Sequence, residues 1–330
     1  MKKMISFLLA FVMITSLFTG CGSAPAEAAP AQTANTFKVA IVQQLDHSSL
    51  DEIREAIKAQ LSALAEPTNY TITIEEYNGQ NDASVLNQIG ADVVAEEFDL
   101  IIPIATMAAQ CMVTAADGTD IPIVYAACSD PEGAGLTGLA NVTGVSDALN
   151  TPFIMDMMFA AQPDIQCVGL LYSNSEINSA APIAEAKAYL DAKGISYLEK
   201  TGNTTGEIVE AAASLVDRVD TVFTPTDNVV MAAEGSVAEL LNEAQIAHYT
   251  GADSFVLSGA FTTCGVNYTE LGTKTADIAM DILLGGEIGD FIVMDGGIIT
   301  VNTDTAKAIG VNYSAFSSMA NTLNEVTTAE

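Results

Sequence analysis

The segment Phe98–Gln110, with the sequence FDLIIPIATMAAQ, decides how the rest of the chain is interpreted. Its apolar run Leu100–Ile104 has no polar alternation, which predicts a strand buried on both faces, as in a parallel sheet. A helix-favouring run begins directly afterwards at Thr106. Because the first turn of such a helix presents free N–H groups, this junction predicts a seat for a carboxylate. The alternative is that Thr106 only caps the helix.

The strand-to-helix pattern continues from Phe37, and the second half of the chain repeats the first. Loops 43–49, 106–109 and 128–132 correspond in order to loops 173–179, 226–228 and 251–254. A capping box is expected at Ser49 and Glu52, at the start of the first helix. The sequence therefore predicts an α/β fold with two doubly wound parallel-sheet lobes, whose strand ends face each other across a cleft.

The chain divides into four predicted parts. Residues 1–20 form a signal peptide, and residues 21–36 form a lipid-anchored flexible linker of small residues and proline. Lobe 1 comprises 37–150 plus 261–290, and lobe 2 comprises 151–260 plus 291–330. The chain would then cross between the lobes near residues 150, 261 and 291, which predicts a multi-crossover hinge.

The N-terminal signal ends in a cysteine motif. Lys2 and Lys3 precede the apolar run Ile5–Leu17, which is too short to span a membrane comfortably. The sequence that follows, up to Cys21, resembles the bacterial lipobox, in which the cysteine is acylated. We therefore expect a lipoprotein anchored to the outer face of the bacterial cell membrane.

Composition excludes several classes of function. The chain of 330 residues carries 42 acidic and 11 basic residues, so it has no basic cluster for nucleic acid. Gly133–Gly138 matches the pattern GxGxxG but leads into a strand-like segment, so we interpret it as a turn. The two histidines, His47 and His248, lack metal-ligand spacing, and no GxSxG motif occurs. We expect no enzyme activity, metal or cofactor.

The six predicted cleft loops contain no lysine or arginine. A phosphate or dicarboxylate would therefore lack a cationic partner, whereas one carboxylate can bind at a helix N-terminus. Acidic side chains in the same loops could bind an ammonium group, and Asp227 is the first candidate, with a helix N-cap as its alternative role. The residues thus favour a zwitterionic amino acid.

Six segments resemble substrate-binding lipoproteins of ABC importers of the TrpX-like group. They are TMAAQ at 106–110, SDPEGAGL at 129–136, NVTGVSD at 141–147, GLLYSNSEINS at 169–179, PTDN at 225–228 and NYTELG at 267–272. The resemblance implies a type I periplasmic-binding-protein fold and an aromatic amino acid ligand (Trp, Tyr or Phe) that is delivered to ABC permease subunits. This chain departs from the group at Asp46-His47-Ser48 and at Glu132.

From these loops we select a set of candidate ligand-binding residues, and we expect a monomer. A nucleoside or sugar-like ligand, or a role as a tethered solute sensor, remains the alternative. The four cysteines outside the signal could form disulfides or be free buried thiols: Cys111, Cys128, Cys167 and Cys264. The candidate ligand-binding residues are Asp46, His47, Thr106, Met107, Ala108, Asp130, Ser175, Glu176, Asn178, Ser179, Thr226, Asp227, Asn228 and Asp253.

Overall fold

The computed structural model of the chain describes residues 35–329. The predicted signal peptide, the lipidation site Cys21 and nearly all of the predicted linker lie outside the described residues. Among the described residues, no helix is both long enough and apolar enough to cross a bilayer.

The described chain alternates strands and helices, as the sequence predicts. The strands are β1 (Asn35–Gln43), β2 (Tyr70–Asn78), β3 (Leu100–Ile104), β4 (Ile123–Ala126), β5 (Val142–Ser146), β6 (Cys167–Tyr172), β7 (Ser196–Thr201), β8 (Thr221–Thr224), β9 (Ala247–Thr250), β10 (Thr262–Gly265), β11 (Ile292–Val293), β12 (Ile298–Asn302) and β13 (Thr322–Val326). The helices are α1 (Ser48–Ala65), α2 (Ala83–Ala95), α3 (Thr106–Ala115), α4 (Thr151–Ala161), α5 (Ala180–Lys193), α6 (Thr205–Ala213), α7 (Asn228–Met231), α8 (Glu234–Glu243), α9 (Asp253–Leu257), α10 (Tyr268–Leu283) and α11 (Thr303–Ile309). Two 3₁₀ helices cover Ile177–Ser179 and Ser314–Ser318.

The first lobe contains a six-stranded sheet in the order β11-β5-β4-β3-β1-β2. All of its strand pairs are parallel, and all five residues of β3 are buried, as the apolar run predicts. Along β1, Val39 and Ile41 join the apolar cluster that includes α1 and α10, whereas Ala40 and Val42 join the cluster that includes α2 and α3. The sheet is therefore covered on both faces, which holds its strand ends at one edge.

The second lobe contains a seven-stranded sheet in the order β13-β12-β10-β9-β8-β6-β7. Its pairs are parallel except for β10 with β12, which run antiparallel. The edge strand β13 is polar and half-exposed, and the sequence did not predict it. Since both sheets are mainly parallel and wound with helices, the predicted doubly wound two-lobe fold is confirmed.

The chain crosses between the lobes three times. The crossings lie at 147–150, 266–267 and 294–297, between β5 and α4, β10 and α10, and β11 and β12. The first agrees with the predicted crossing near residue 150. The other two lie a few residues later than predicted, because β10 pairs within the second sheet and β11 forms the edge of the first.

Helix α1 does not begin with the predicted capping box, so that prediction is wrong. Its N-cap residue is His47, which makes no side-chain capping bond. The hydroxyl of Ser49 instead donates to Oδ1 of Asp253 at 2.7 Å, and the Glu52 carboxylate accepts from the backbone N–H of Thr269 at 2.9 Å. Contacts with other parts of the fold have thus replaced the local cap.

Candidate functional site

A narrow cavity lies between the two lobes, where the carboxyl ends of their strands face each other. Its volume is about 30 Å³, so the two lobes lie close together around it. None of its lining residues is lysine or arginine. Lobe 1 contributes His47, Ser49, Leu50, Ala105, Thr106, Ala127, Ser129, Asp147 and Tyr268, and lobe 2 contributes Asn178, Thr226, Asp227, Asn228, Met231, Ala252, Ser254 and Phe255.

Helix α3 begins at this cavity with a strained backbone. Ala105, its N-cap residue, has φ of 76°, and Ala127 at the end of β4 has φ of 54°. Positive φ is unfavourable for alanine, at a cost of about 1–3 kcal/mol, and such strain is concentrated at functional sites. The strained turn places Thr106 on the cavity wall, with its hydroxyl 3.5 Å from Sγ of Cys128.

The first turn of α3 keeps free N–H groups. The backbone N–H of Met107 donates to Oε1 of Gln44 at 3.1 Å. Those of Thr106 and Ala108 have no hydrogen-bond partner among residues 35–329. Since the N-cap residue Ala105 makes no capping bond and two N–H groups stay free, this N-terminus can bind the carboxylate of a ligand.

A buried carboxylate on the same lobe faces the cavity. Ser129 Oγ donates to Oδ1 of Asp147 at 2.9 Å, and Ser129 Oγ also lies 2.9 Å from Oγ1 of Thr226 on the opposite lobe. Burial raises the pKa of Asp147 above its ordinary value, and no basic side chain in the described chain pairs with it. An ammonium group at this position would supply the missing positive partner.

Asp227, the first candidate for the ammonium site, accepts four hydrogen bonds within the protein. Its Oδ1 caps α7 by accepting from the N–H groups of Val229 and Val230, at 3.1 and 3.0 Å. Its Oδ2 accepts from the N–H of Ser173 and from the hydroxyl of Ser179, each at 2.7 Å. A carboxylate has about four acceptor positions, so these four bonds leave none for a ligand ammonium group. The geometry therefore favours the N-cap alternative.

Glu176 connects the lobes above the cavity. Its Oε1 accepts from Nε2 of Gln44 on lobe 1 at 3.0 Å, and its Oε2 accepts from Nδ2 of Asn228 at 2.9 Å. Burial, together with the negative charge of Asp227, raises the pKa of Glu176 to about 7. Because Gln44 also binds the first turn of α3, this network links the anion seat to the opposite lobe.

The structure brings six of the predicted site residues to the cavity wall and places the others elsewhere. Asp46 is exposed beside Arg54, Asp130 accepts from the N–H of Gly133 in a turn, and Ser175 bonds to Ser173. Glu176 and Asp253 make cross-lobe contacts, Ser179 supports Asp227, and Met107 and Ala108 contribute backbone rather than side chains. The six on the wall are His47, Thr106, Asn178, Thr226, Asp227 and Asn228.

Four further lining residues with polar groups are not among the residues predicted from the sequence: Ser129, Asp147, Ser254 and Tyr268. A signal for Asp147 was present, because it directly follows β5 just as Thr106 closely follows β3. Ligands in open α/β sheets bind outside the carboxyl ends of strands, so this rule alone could have selected Asp147.

One arrangement in lobe 2 resembles a catalytic triad but is buried in the core. His248 places Nδ1 3.0 Å from Oε1 of Glu234 and Nε2 2.8 Å from Oγ1 of Thr224. All three side chains are fully buried, and Phe255 packs edge-on against the His248 ring. No substrate can reach them, so they hold lobe 2 together rather than form an active site.

Two further expectations concern metals and thiols. Cys111, Cys128, Cys167 and Cys264 are free, so the disulfide alternative is not realised. Within residues 35–329, no group of acidic, histidine and cysteine side chains is arranged to hold a metal ion.

The sequence was compared with known protein families. The family described as ABC transporter substrate binding protein matches residues 38–321. The chain belongs to this family. A "Tyrosine-binding protein" of Clostridioides difficile (strain R20291) is 31% identical over 320 residues, which cover 93% of this chain and 92% of that protein.

Two solved structures of similar sequence differ in their ligand state. A Streptococcus pneumonia ABC domain in complex with L-Trp has a TM-score of 0.81 and 27% identity, covering 88% of this chain and 100% of that one. A ligand-free, open structure of a substrate binding protein with adhesive properties from Clostridium difficile has a TM-score of only 0.67 at 30% identity, covering 88% and 99%. The structure of this chain thus resembles the ligand-bound form more than the open form.

Proposed function

We propose that this protein is an extracytoplasmic substrate-binding lipoprotein of an ABC importer, which captures an aromatic amino acid in the interlobe cleft and passes it to a permease. The family assignment supports an importer role, and the names of the similar proteins support aromatic amino acids as ligands. The protein binds its solute without converting it, and acylation of Cys21 holds it at the outer face of the cell membrane.

One observation carries the amino acid assignment. The cleft combines the free N–H groups of Thr106 and Ala108 with the unpaired carboxylate of Asp147, and it contains no lysine or arginine. These groups complement the two charges of a zwitterion: the helix N-terminus binds the carboxylate, and Asp147 binds the ammonium. A sugar or nucleoside has no ammonium group to neutralise Asp147.

The cavity wall also contains apolar side chains, which favour an apolar ligand side chain. Leu50, Met231 and Phe255 contribute large apolar side chains to this wall. Burial of an aromatic side chain against these residues would contribute hydrophobic free energy and ring contacts.

Closure of the lobes retains the ligand. The Ser49–Asp253, Gln44–Glu176 and Ser129–Thr226 bonds join the two lobes around the cavity. Because three segments of the described chain, 35–329, connect the lobes, breaking these bonds allows opening about the crossings at 147–150, 266–267 and 294–297.

A thermal-shift panel of the twenty amino acids, nucleosides and sugars tests this function. A ligand that binds only the native state raises its melting temperature by mass action, so aromatic amino acids should give the largest shifts. A shift with nucleosides or sugars alone would refute the amino acid assignment. Loss of amino acid uptake on deletion of the gene would distinguish an importer from a tethered sensor.

A further inference from the structure

Two buried polar atoms on the cleft wall lack hydrogen-bond partners within residues 35–329. They are Nδ1 of His47 and Oγ of Ser254. Ser254 is 1% exposed, so no bulk water reaches its hydroxyl. An unpaired buried polar group is unfavourable and rare in native proteins, which makes a pair of them in one cavity a sign of a missing partner.

The two atoms belong to neighbouring parts of the cleft. His47 is the N-cap residue of α1, and Ser254 lies in the first turn of α9. Ser49, two residues after His47, accepts a hydrogen bond from the backbone N–H of Ser254 at 3.3 Å. The lobes thus bring both atoms to the region where α1 meets α9.

The available donors and acceptors of these atoms are complementary. Burial lowers the pKa of His47 to about 4, so its ring is neutral near pH 7. The ring is hydrogen-bonded to the Asn228 side chain, and because Nδ1 is unpaired this bond falls on Nε2. Since Nδ2 of Asn228 donates to Glu176, we assign the Asn228 oxygen as the acceptor of this bond. Nε2 of His47 then carries the proton, and Nδ1 is an acceptor. The Ser254 hydroxyl can donate.

Leu50, Met231 and Phe255, which also line the cavity, offer no polar group to pair with these atoms. An aromatic ligand side chain that ends in a hydroxyl complements both the apolar residues and the two unpaired polar atoms of the wall. A phenol can donate to His47 and accept from Ser254, an indole N–H can only donate, and a phenyl ring can do neither.

We infer that His47 and Ser254 are specificity-determining residues that select tyrosine over phenylalanine. This inference rests on the proposed function and extends it to the ligand side chain. A site built to bind a substrate hydroxyl rejects the analogue without it, because its own polar groups remain unpaired. We expect L-tyrosine to bind about 100-fold more tightly than L-phenylalanine, with L-tryptophan between them.

Calorimetric titration of the full chain with L-tyrosine, L-tryptophan and L-phenylalanine tests the inference. Ser254→Ala and His47→Leu should each lower the affinity for tyrosine by about tenfold and narrow the tyrosine-to-phenylalanine ratio by the same factor. Ser258→Ala is the matched control, because Ser258 caps the C-terminus of the same short helix but does not line the cavity. In this variant the ratio of the affinities for tyrosine and phenylalanine should equal that of the parent protein.

The outcomes separate this inference from the proposed function. If the parent protein binds tyrosine and phenylalanine with equal affinity, His47 and Ser254 do not determine specificity. The proposed binding of aromatic amino acids would still stand. The same conclusion follows if Ser254→Ala and His47→Leu weaken all three ligands equally. Binding of none of the three would overturn both the inference and the proposed function.

Discussion

Substitution of two buried aspartates in the cleft should have opposite consequences for binding and for stability. Asp147→Asn keeps an oxygen that can accept from Ser129 but removes the charge that pairs with the ligand ammonium. An uncompensated buried charge costs about 3–5 kcal/mol, so the affinity for L-tyrosine should fall by roughly 150-fold or more. Because burial already raises the pKa of the free carboxyl group, the melting temperature without ligand should not decrease.

Asp227→Asn should instead destabilise the fold. The four groups that donate to Asp227 are fixed, and an amide can accept through its oxygen only, so about two of these bonds are lost. At about 1.5–3 kcal/mol for each hydrogen bond to a charged group, the free energy of unfolding should fall by at least about 3 kcal/mol. The corresponding decrease in melting temperature is about 6 °C or more.

Two measurements on both variants and the parent separate ligand binding by Asp147 from stabilisation of the fold by Asp227. They are calorimetric titration with L-tyrosine and thermal unfolding. Retention of parental affinity by Asp147→Asn would refute the ammonium site proposed here. Loss of affinity in Asp227→Asn, with an unchanged melting temperature, would return the ammonium site to Asp227.

Three further predictions concern the anchor, the hinge and a buried carboxylate. Cys21→Ser should fold and bind ligand but lose acylation, so incorporation of labelled palmitate into this variant would contradict the lipoprotein assignment. A saturating ligand should change the small-angle scattering profile through rigid-body closure about the three crossings, and identical profiles with and without ligand would count against it. Because burial raises the pKa of Glu176 to about 7, from an ordinary value near 4.5, its stabilising contribution is complete below about pH 4.5 and is lost as the pH rises through about 7. Denaturant unfolding should therefore show the parent losing stability relative to Glu176→Gln between pH 5 and 8, and parallel curves would show that Glu176 does not titrate in this range.

The general architecture could be predicted because its signals are local. The unbroken apolar run of β3 requires burial on both faces, and Thr204, which caps α6, accepts from the N–H of Glu207 as the local pattern predicts. Such elements depend on residues that are close in the chain, so a single sequence contains enough information to find them.

The local sequence pattern gives the wrong structure where contacts with distant parts of the fold determine the conformation. Ser49 and Glu52 have the spacing of a capping box, but Asp253 and Thr269 bind their side chains. The chain from Asn228 to Glu243 forms two helices, α7 and α8, and Glu234 at the start of α8 is buried against His248. No local pattern shows where these partners lie.

The site was partly predictable for the same reason. The helix N-terminus at Thr106 follows from the strand before it, and Asp227 has the local pattern of an N-cap. Which acidic residue keeps a free oxygen depends on the positions of Ser173 and Ser179, far from Asp227 in sequence. The distinction between Asp147 and Asp227 therefore required the folded structure.

A crystal structure of the protein with L-tyrosine would test the central claim most directly. We expect the ligand to lie between the lobes, with its carboxylate at the N–H groups of Thr106 and Ala108 and its ammonium within hydrogen-bond distance of Asp147. A ligand held outside the cleft, or one with its carboxylate directed at Asp147, would contradict it.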